Sequence, residues 1–210
     1  MRAGAVERVR SFFHAAKGAG VKKVVFLSGR GEPEAEQAEE ALQSAGLDWT
    51  VLRSSFFSQN FSETFFLDAI RTGEVALPVA AVGEPFVDAE DLADVAVAAL
   101  TEPGHSRRLY ELTGPRALSF AEAIREIGIA AGREIRYRSI PREQYRSALE
   151  AAQVPAKVIE LILYLFGTVL DGRNSRPAEG VQQALGRPAR DFSDYARRTA
   201  ATGIWVGHGA

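Results

Sequence analysis

The sequence predicts an α/β protein, with a layer of parallel sheet in its first half and a mainly helical region after it. Two short apolar runs, VVFLS over 24–28 and WTVL over 49–52, have the continuous hydrophobicity of strands buried on both faces. Each follows a stretch with helical spacing, and consecutive helix–strand units imply parallel strands joined by a right-handed crossover. Beyond residue 140 the periodicity is almost wholly helical.

Residues 3–19 place Val6, Val9, Phe12, Phe13 and Ala16 on one helical face, and Gly18 and Gly20 stop the helix. After the strand at 24–28, Gly29-Arg30-Gly31 turns the chain. A second helix covers 32–45, with Pro33 in its first turn and Glu32, Glu34 and Glu36 at its positive end. The strand at 49–52 leads into a helix expected over 56–72, and 74–79 reads as a short extended segment. Asp88 caps a helix through Leu100, with Asp91 three residues on in the pattern of a capping box. A strand is expected at 109–113, a helix from Ser119 to about 131 and an edge strand at 135–140. Helices follow over 142–153, 155–170, 177–185 and 191–201, with Pro155 and Pro177 in first turns.

Composition narrows the classes of function. The 210 residues suit one domain, or one domain with a small appendage, and 46% hydrophobic content is enough for a sizeable core. A net charge of -2 makes no electrostatic case for nucleic acid or an anionic membrane. The absence of cysteine removes disulfides, thiolate nucleophiles and thiolate metal sites. His14, His105 and His208 share no metal-ligand spacing, so no metal is expected. No apolar run is long enough to span a bilayer and no signal peptide is evident, so the expected compartment is the cytoplasm.

The chemistry concentrates where the strand at 49–52 ends, in the stretch RSSFFSQN. Ligands of open α/β sheets sit beyond the carboxyl ends of the strands. Ser28, at the end of the other strand, lies on the same sheet edge. Its hydroxyl suits either a ligand contact or the capping of the next turn. Arg53 suits bidentate binding of a phosphate or carboxylate, or an ion pair with an acid such as Asp91. Phe56 and Phe57 suit a wall for a flat ring, or helix packing. Asn60 suits a ligand contact or a surface position. The turn Gly29-Arg30-Gly31 is no phosphate fingerprint, because Glu34 replaces the third glycine and the glutamates after it repel a diphosphate.

The segments VKKVVFLSGRG, GLDWTVLRSSFFSQNF, EPFVDAEDLADVAVAAL and LYELTGPRALSFAEA, with the tail LGRPARDFSDYA, together resemble the NmrA-like family. These are atypical short-chain dehydrogenase/reductase proteins with an NAD(P)-binding Rossmann fold, and the likeness covers nearly the whole chain. It implies the C-terminal part of a Rossmann-like doubly wound parallel sheet over 1–132 and a mainly helical substrate cap over 133–210. It implies NADP or NAD as cofactor, with Ser28, Gly29, Arg53, Ser54, Ser55 and Phe56 at the nicotinamide end. Phe57, Asn60, Tyr145 and Tyr164 are then expected to wall a flat conjugated acceptor such as a quinone or iminium. Asp91 is expected to be a structural helix-start residue.

Two departures from the family pattern stand out. The family's opening strand and T-G-x-x-G-x-x-G phosphate loop, and the two β-α units after them, are missing, and the chain begins about 70 residues later than the family pattern, given the ~30-residue size of a βαβ unit. A fragment, a misplaced start or a cofactor-free descendant would each give this pattern. The helix over 32–45 also has no Tyr-x-x-x-Lys pair, so no catalytic residue is assigned, and a non-catalytic NAD(P)-binding or regulatory protein is the alternative reading. Without neighbours, the strand at 24–28 becomes an apolar edge and self-association is expected.

Overall fold

The computed structural model describes residues 4–64 and 66–207. Helix α1 (Ala5–Gly18) precedes β1 (Lys23–Gly29), and α2 (Pro33–Ser44) links it to β2 (Asp48–Ser54). Strand β1 pairs in parallel with β2, and β2 with β4 (Arg108–Leu112), in the order β1-β2-β4. Side chains alternate along a strand, so neighbours in β2 go to opposite layers. Val51 packs with Phe13, Leu42 and Leu47 from the side of α1 and α2. Leu52 packs with Leu92 and Val95 of α5 (Ala89–Thr101) and Val181 of α9 (Gly180–Leu185). Helices therefore cover both faces, which is the doubly wound arrangement. The α/β expectation and the mainly helical C-terminal region both hold.

A second parallel pair, β3 (Glu74–Leu77) with β5 (Arg136–Ser139), lies apart from this sheet. It flanks the largest core, where Phe61, Phe66, Phe86, Phe120 and Phe192 meet edge to face, tilted or stacked at 5.2–5.5 Å. Helix α6 (Phe120–Ala131) and α10 (Phe192–Ala201) pack side by side here. Arg116 joins them, donating to Glu126 at 2.7 Å and to Asp191 at 2.7 Å. The indole of buried Trp205 closes this core by donating to Phe61 O at 2.9 Å. No helix among the described residues is long and apolar enough to cross a membrane.

Several expected elements change at identifiable contacts. The helix expected over 56–72 is broken into α3 (Asn60–Glu63) and α4 (Phe66–Thr72). Its first residues pair instead with the chain at 84–88: Val87 N donates to Phe56 O, and Ser58 N to Val87 O. The helix expected over 155–170 is α8 (Ala156–Tyr164) followed by a π-helical turn, Leu165–Val169. Pro177 lies outside its expected helix, which starts at Gly180. There the helix backbone rests on the carbonyl of Glu111, closer than any Cβ allows, while Ala178 N donates to Thr113 Oγ1. Helix α7 (Arg142–Ala151) forms as expected.

Asp88 caps α5, accepting from Glu90 N at 3.0 Å. Asp91 does not complete a capping box. It is fully buried, and its carboxylate accepts from Arg190 N at 2.7 Å and pairs with the guanidinium groups of Arg187 and Arg190. Asp91 thus ties the start of α5 to the segment between α9 and α10. Removing one partner of a buried, hydrogen-bonded pair leaves the remaining groups uncompensated. We expect Asp91→Ala to lower unfolding free energy by about 3 kcal/mol in chemical denaturation. Asp94→Ala, at a half-exposed partner of the same arginines, should cost less than about 1 kcal/mol.

Candidate active site

Three turns converge beyond the carboxyl ends of β1 and β2. The first, Gly29–Glu32, hangs on the sheet because Arg30 N donates to Ser54 O at 3.0 Å. Gly31 adopts φ +76°, and a Cβ there would strike the Asn174 amide. That close approach lets Asn174 Nδ2 donate to Arg30 O at 3.2 Å, while Arg30 Nη1 donates to Asn174 O and Arg176 O. The second is the end of β2 itself, Ser54 to Asn60. Ser54 Oγ donates to Ser28 O at 3.3 Å and Ser55 Oγ to Pro85 O at 2.6 Å. Both hydroxyls give their protons to backbone and keep lone pairs to accept. The third is the segment around Glu84, whose main chain bridges Leu118 in both directions.

Between them opens a cleft of about 210 Å³. Gly29, Ser54, Ser55, Phe56, Phe57 and Asn60 line it. Leu165, Val169 and Leu170 close the opposite side, presented by the π-helical turn and the residue after it. A π-turn shifts the side chains beyond it out of α-helical phase and often marks a functional site. Glu84 and Glu32 are the acids in the lining and Arg30 its cation.

Glu84 is only 3% exposed. Its Oε1 accepts from Phe56 N at 3.1 Å. Burial pushes its pKa up to about 7, against the Phe56 amide and the Arg30 charge, which both hold it down. The Arg30 charge is shared with Glu111, 3.2 Å away, which limits its hold on Glu84. Burial also raises the pKa of Glu32, with the charge of Glu34 adding to it.

The other expected site residues lie elsewhere. Arg53 does not meet Asp91. Its guanidinium donates twice to the buried Glu39 carboxylate, at 3.0 and 2.5 Å, and reaches Glu111 at 3.4 Å. It is therefore fully engaged between the sheet and α2, on the face of β2 that also carries Val51. Ser28 is paired with Arg53 across the sheet, and its buried hydroxyl has no hydrogen-bond partner among the described residues. Tyr145 is in the core, its ring 5.9 Å from Phe166 and its hydroxyl pushed up to about 12 by burial. Tyr164 is half-buried outside the lining; desolvation raises its pKa, reinforced by the charges of Glu32 and Glu34. Glu84, Asn174 and the Leu165–Leu170 wall had no sequence signal beyond their residue types. Glu84 sits in a loop and Asn174 is 144 residues from Arg30 in the chain.

The aromatic wall and the serine and backbone acceptors of this cleft suit a flat, amide-bearing ring such as nicotinamide in chemistry. The diphosphate of a dinucleotide does not match the described residues. Arg30 is already bonded to two carbonyls, Arg53 to Glu39, and the first turn of α2 is acidic.

A family model described as the NmrA-like family matches residues 5–195. An NAD(P)H azoreductase of Xenophilus azovorans is 35% identical over 197 residues, 89% of this chain and 68% of that protein. Among solved structures, the NADPH-dependent quinone oxidoreductase of Escherichia coli complexed with NADPH superposes with a TM-score of 0.79 at 19% identity. That match covers 93% of this chain and 71% of that one. A negative transcriptional regulator solved with NADP superposes with a TM-score of 0.63 at 18% identity, covering 95% and 71%. These two structural matches share the fold with this chain.

The Glu84 carboxyl makes stability depend on pH. Below about 4.5 the unfolded and folded carboxyls are both protonated and its contribution is intact; as pH rises through 7 the unfolded chain ionises first and that contribution is lost. Relative to Glu84→Gln, the wild type should lose about 3 kcal/mol between pH 4.5 and about pH 8 in urea denaturation, while the variant loses none of this component.

Proposed function

Because the chain belongs to the NmrA-like family, we propose that it is an NAD(P)H-dependent oxidoreductase acting on a flat conjugated small molecule such as a quinone. The observation that carries this reading is the cleft itself. Serines, aromatic rings and a protonatable carboxyl converge where the parallel strands end, in a chain 35% identical to an azoreductase. A reduced nicotinamide supplies a hydride. Gly29, Ser54, Ser55 and Phe56 receive its ring, with Ser55 and the backbone beside it offering acceptors to the carboxamide. Ser28 and Arg53 act from behind: Ser28 O holds Ser54, and the Arg53–Glu39 pair holds the end of β2 against α2. Phe57 and Asn60 face the acceptor, and Tyr145 supports the wall through Phe166. The region from residue 133 onward is the cap, contributing the apolar wall at Leu165, Val169 and Leu170. The Leu165–Leu170 wall and the phenylalanines exclude water from the ring. The proposed compartment is the cytoplasm.

A second reading is a non-catalytic NAD(P)-binding regulator. It is supported by α2, which carries neither tyrosine nor lysine and so lacks the proton-relay pair of typical short-chain dehydrogenases. Calorimetry with NADPH and NADH separates the cases. Binding tighter than roughly 100 μM, about −5.5 kcal/mol, supports the family cofactor; binding with no turnover of quinone or azo acceptors supports the regulator. No binding rejects both readings for this chain.

We also propose self-association along β1. Its outer edge has no partner strand among the described residues, and Leu27 and Phe12 beside it are more than half exposed. Unpaired apolar edges recruit strands from other chains. Sedimentation at rising concentration should show dimers or larger species. A monodisperse monomer that persists at high concentration is the opposing result.

A further inference from the structure

We propose that Glu84 delivers the proton that accompanies hydride transfer, so that the cleft is built for neutral acceptors whose reduction consumes a proton. This deepens the oxidoreductase reading above and rests on it. The hydride carries two electrons to one end of a conjugated C=O or N=N system. The displaced electron pair moves to the other end, onto an oxygen or nitrogen that must then gain a proton. A preformed iminium or carbocation accepts hydride without that second step. A site for neutral acceptors therefore needs an acid beside the ring, and a site for cations does not.

Glu84 has the geometry of that acid. It lines the cleft together with Phe56, Phe57 and Asn60, the proposed ring and acceptor contacts. Its main chain is clamped by Glu84 N to Leu118 O at 2.9 Å and Leu118 N to Glu84 O at 3.0 Å. One carboxyl oxygen is held by Phe56 N, the amide of a residue that itself walls the cleft. The other oxygen has no hydrogen-bond partner among the described residues. The amide favours a carbonyl oxygen at Oε1, which leaves the hydroxyl at Oε2 free to donate. The charged groups that line the cleft with it are Arg30 and Glu32, both from the turn after β1. Arg30 is bound to Glu111 and to two carbonyls, which draws its charge away from Glu84. Burial to 3% exposure then keeps the carboxyl protonated close to neutral pH, where an acid catalyst is most effective. In the step, the Glu84 O–H bond breaks, an O–H or N–H bond forms on the acceptor, and the carboxylate regains a proton from solvent after product leaves.

The test compares Glu84→Gln with wild type on two acceptors, menadione (neutral) and N-methylacridinium (a cation), near pH 6 with NADPH. Gln keeps an oxygen for the Phe56 amide and matches the neutral acid in shape, but has no acidic proton. We expect kcat on menadione to fall about 100-fold, and the menadione-to-acridinium ratio to fall at least about tenfold. Wild-type kcat on menadione should decline above pH 7, whereas the rate on acridinium should not. A separate readout needs no turnover. In protein labelled with ¹³C at glutamate carboxyls, one resonance absent from Glu84→Gln should titrate near 7 in the wild type. Equal losses on both acceptors, or a Glu84 resonance already ionised at pH 5, overturns the assignment alone. Failure of the wild type to reduce either acceptor overturns the oxidoreductase reading and the assignment with it.

Discussion

The fold turns on one strap of backbone, residues 84–88. Val87 bonds the chain at Phe56 and Ser58, Pro85 O accepts from both Ser55 Oγ and Gly114 N, and Glu84 bridges Leu118. These bonds join the end of β2 to the entries of α5 and α6. They also explain why the residues after β2 do not form a continuous helix. Their amides and carbonyls are taken by the strap, and a backbone group used in one ladder is lost to another. Phe56 and Phe57 are consequently held extended, one packed into the Phe61–Phe120 core and the other against the layer beneath β2.

The same strap sets the electrostatics of the cleft. It carries a carboxyl into a position walled by phenylalanine and leucine, where one backbone amide and the shared charge of Arg30 compensate it in part. Just behind, on the other face of β2, the opposite solution is used: the buried Glu39 carboxylate is fully paired with Arg53. Two glutamates near one strand end thus have different chemistry. Glu39 meets a guanidinium with complementary geometry, while Glu84 shares a weakened Arg30 with Glu111. The first holds structure together. The second leaves a carboxyl whose pKa burial raises, in keeping with the role proposed for it above.

The C-terminal segment is tied to the sheet layer by charge and to the aromatic core by apolar packing. Asp91 and Asp88 at the head of α5 receive Arg187, Arg190 and Arg198 from the last fifth of the chain. Arg116 performs the same service between α6 and α10, and holds the Asp191 carboxyl far below its usual range. These pairs are half-buried or buried at one end, where they hold register between elements distant in sequence. The packing of Phe192, Tyr195 and Trp205 onto Phe61 supplies the larger apolar burial.

By itself the sequence determined what depends on local pattern. The apolar runs at 24–28 and 49–52 both form strands; the second lies largely buried between the layers, whereas the first is an edge strand with Leu27 half exposed. Asp88, Ser119 and Asp191 are caps because short polar side chains satisfy free amides at helix starts. The serines and aromatics after β2 line a cleft because parallel strands all end on one edge. Only the tertiary structure decided which polar groups met. Arg53 chose Glu39 over Asp91, Asp91 was taken by arginines about a hundred residues later, and Tyr145 went into the core. Glu84 was one more acid in a loop until the strap buried it and Asn174 closed over Arg30. Burial and partner choice depend on contacts between residues far apart in the chain, and no local spacing encodes them.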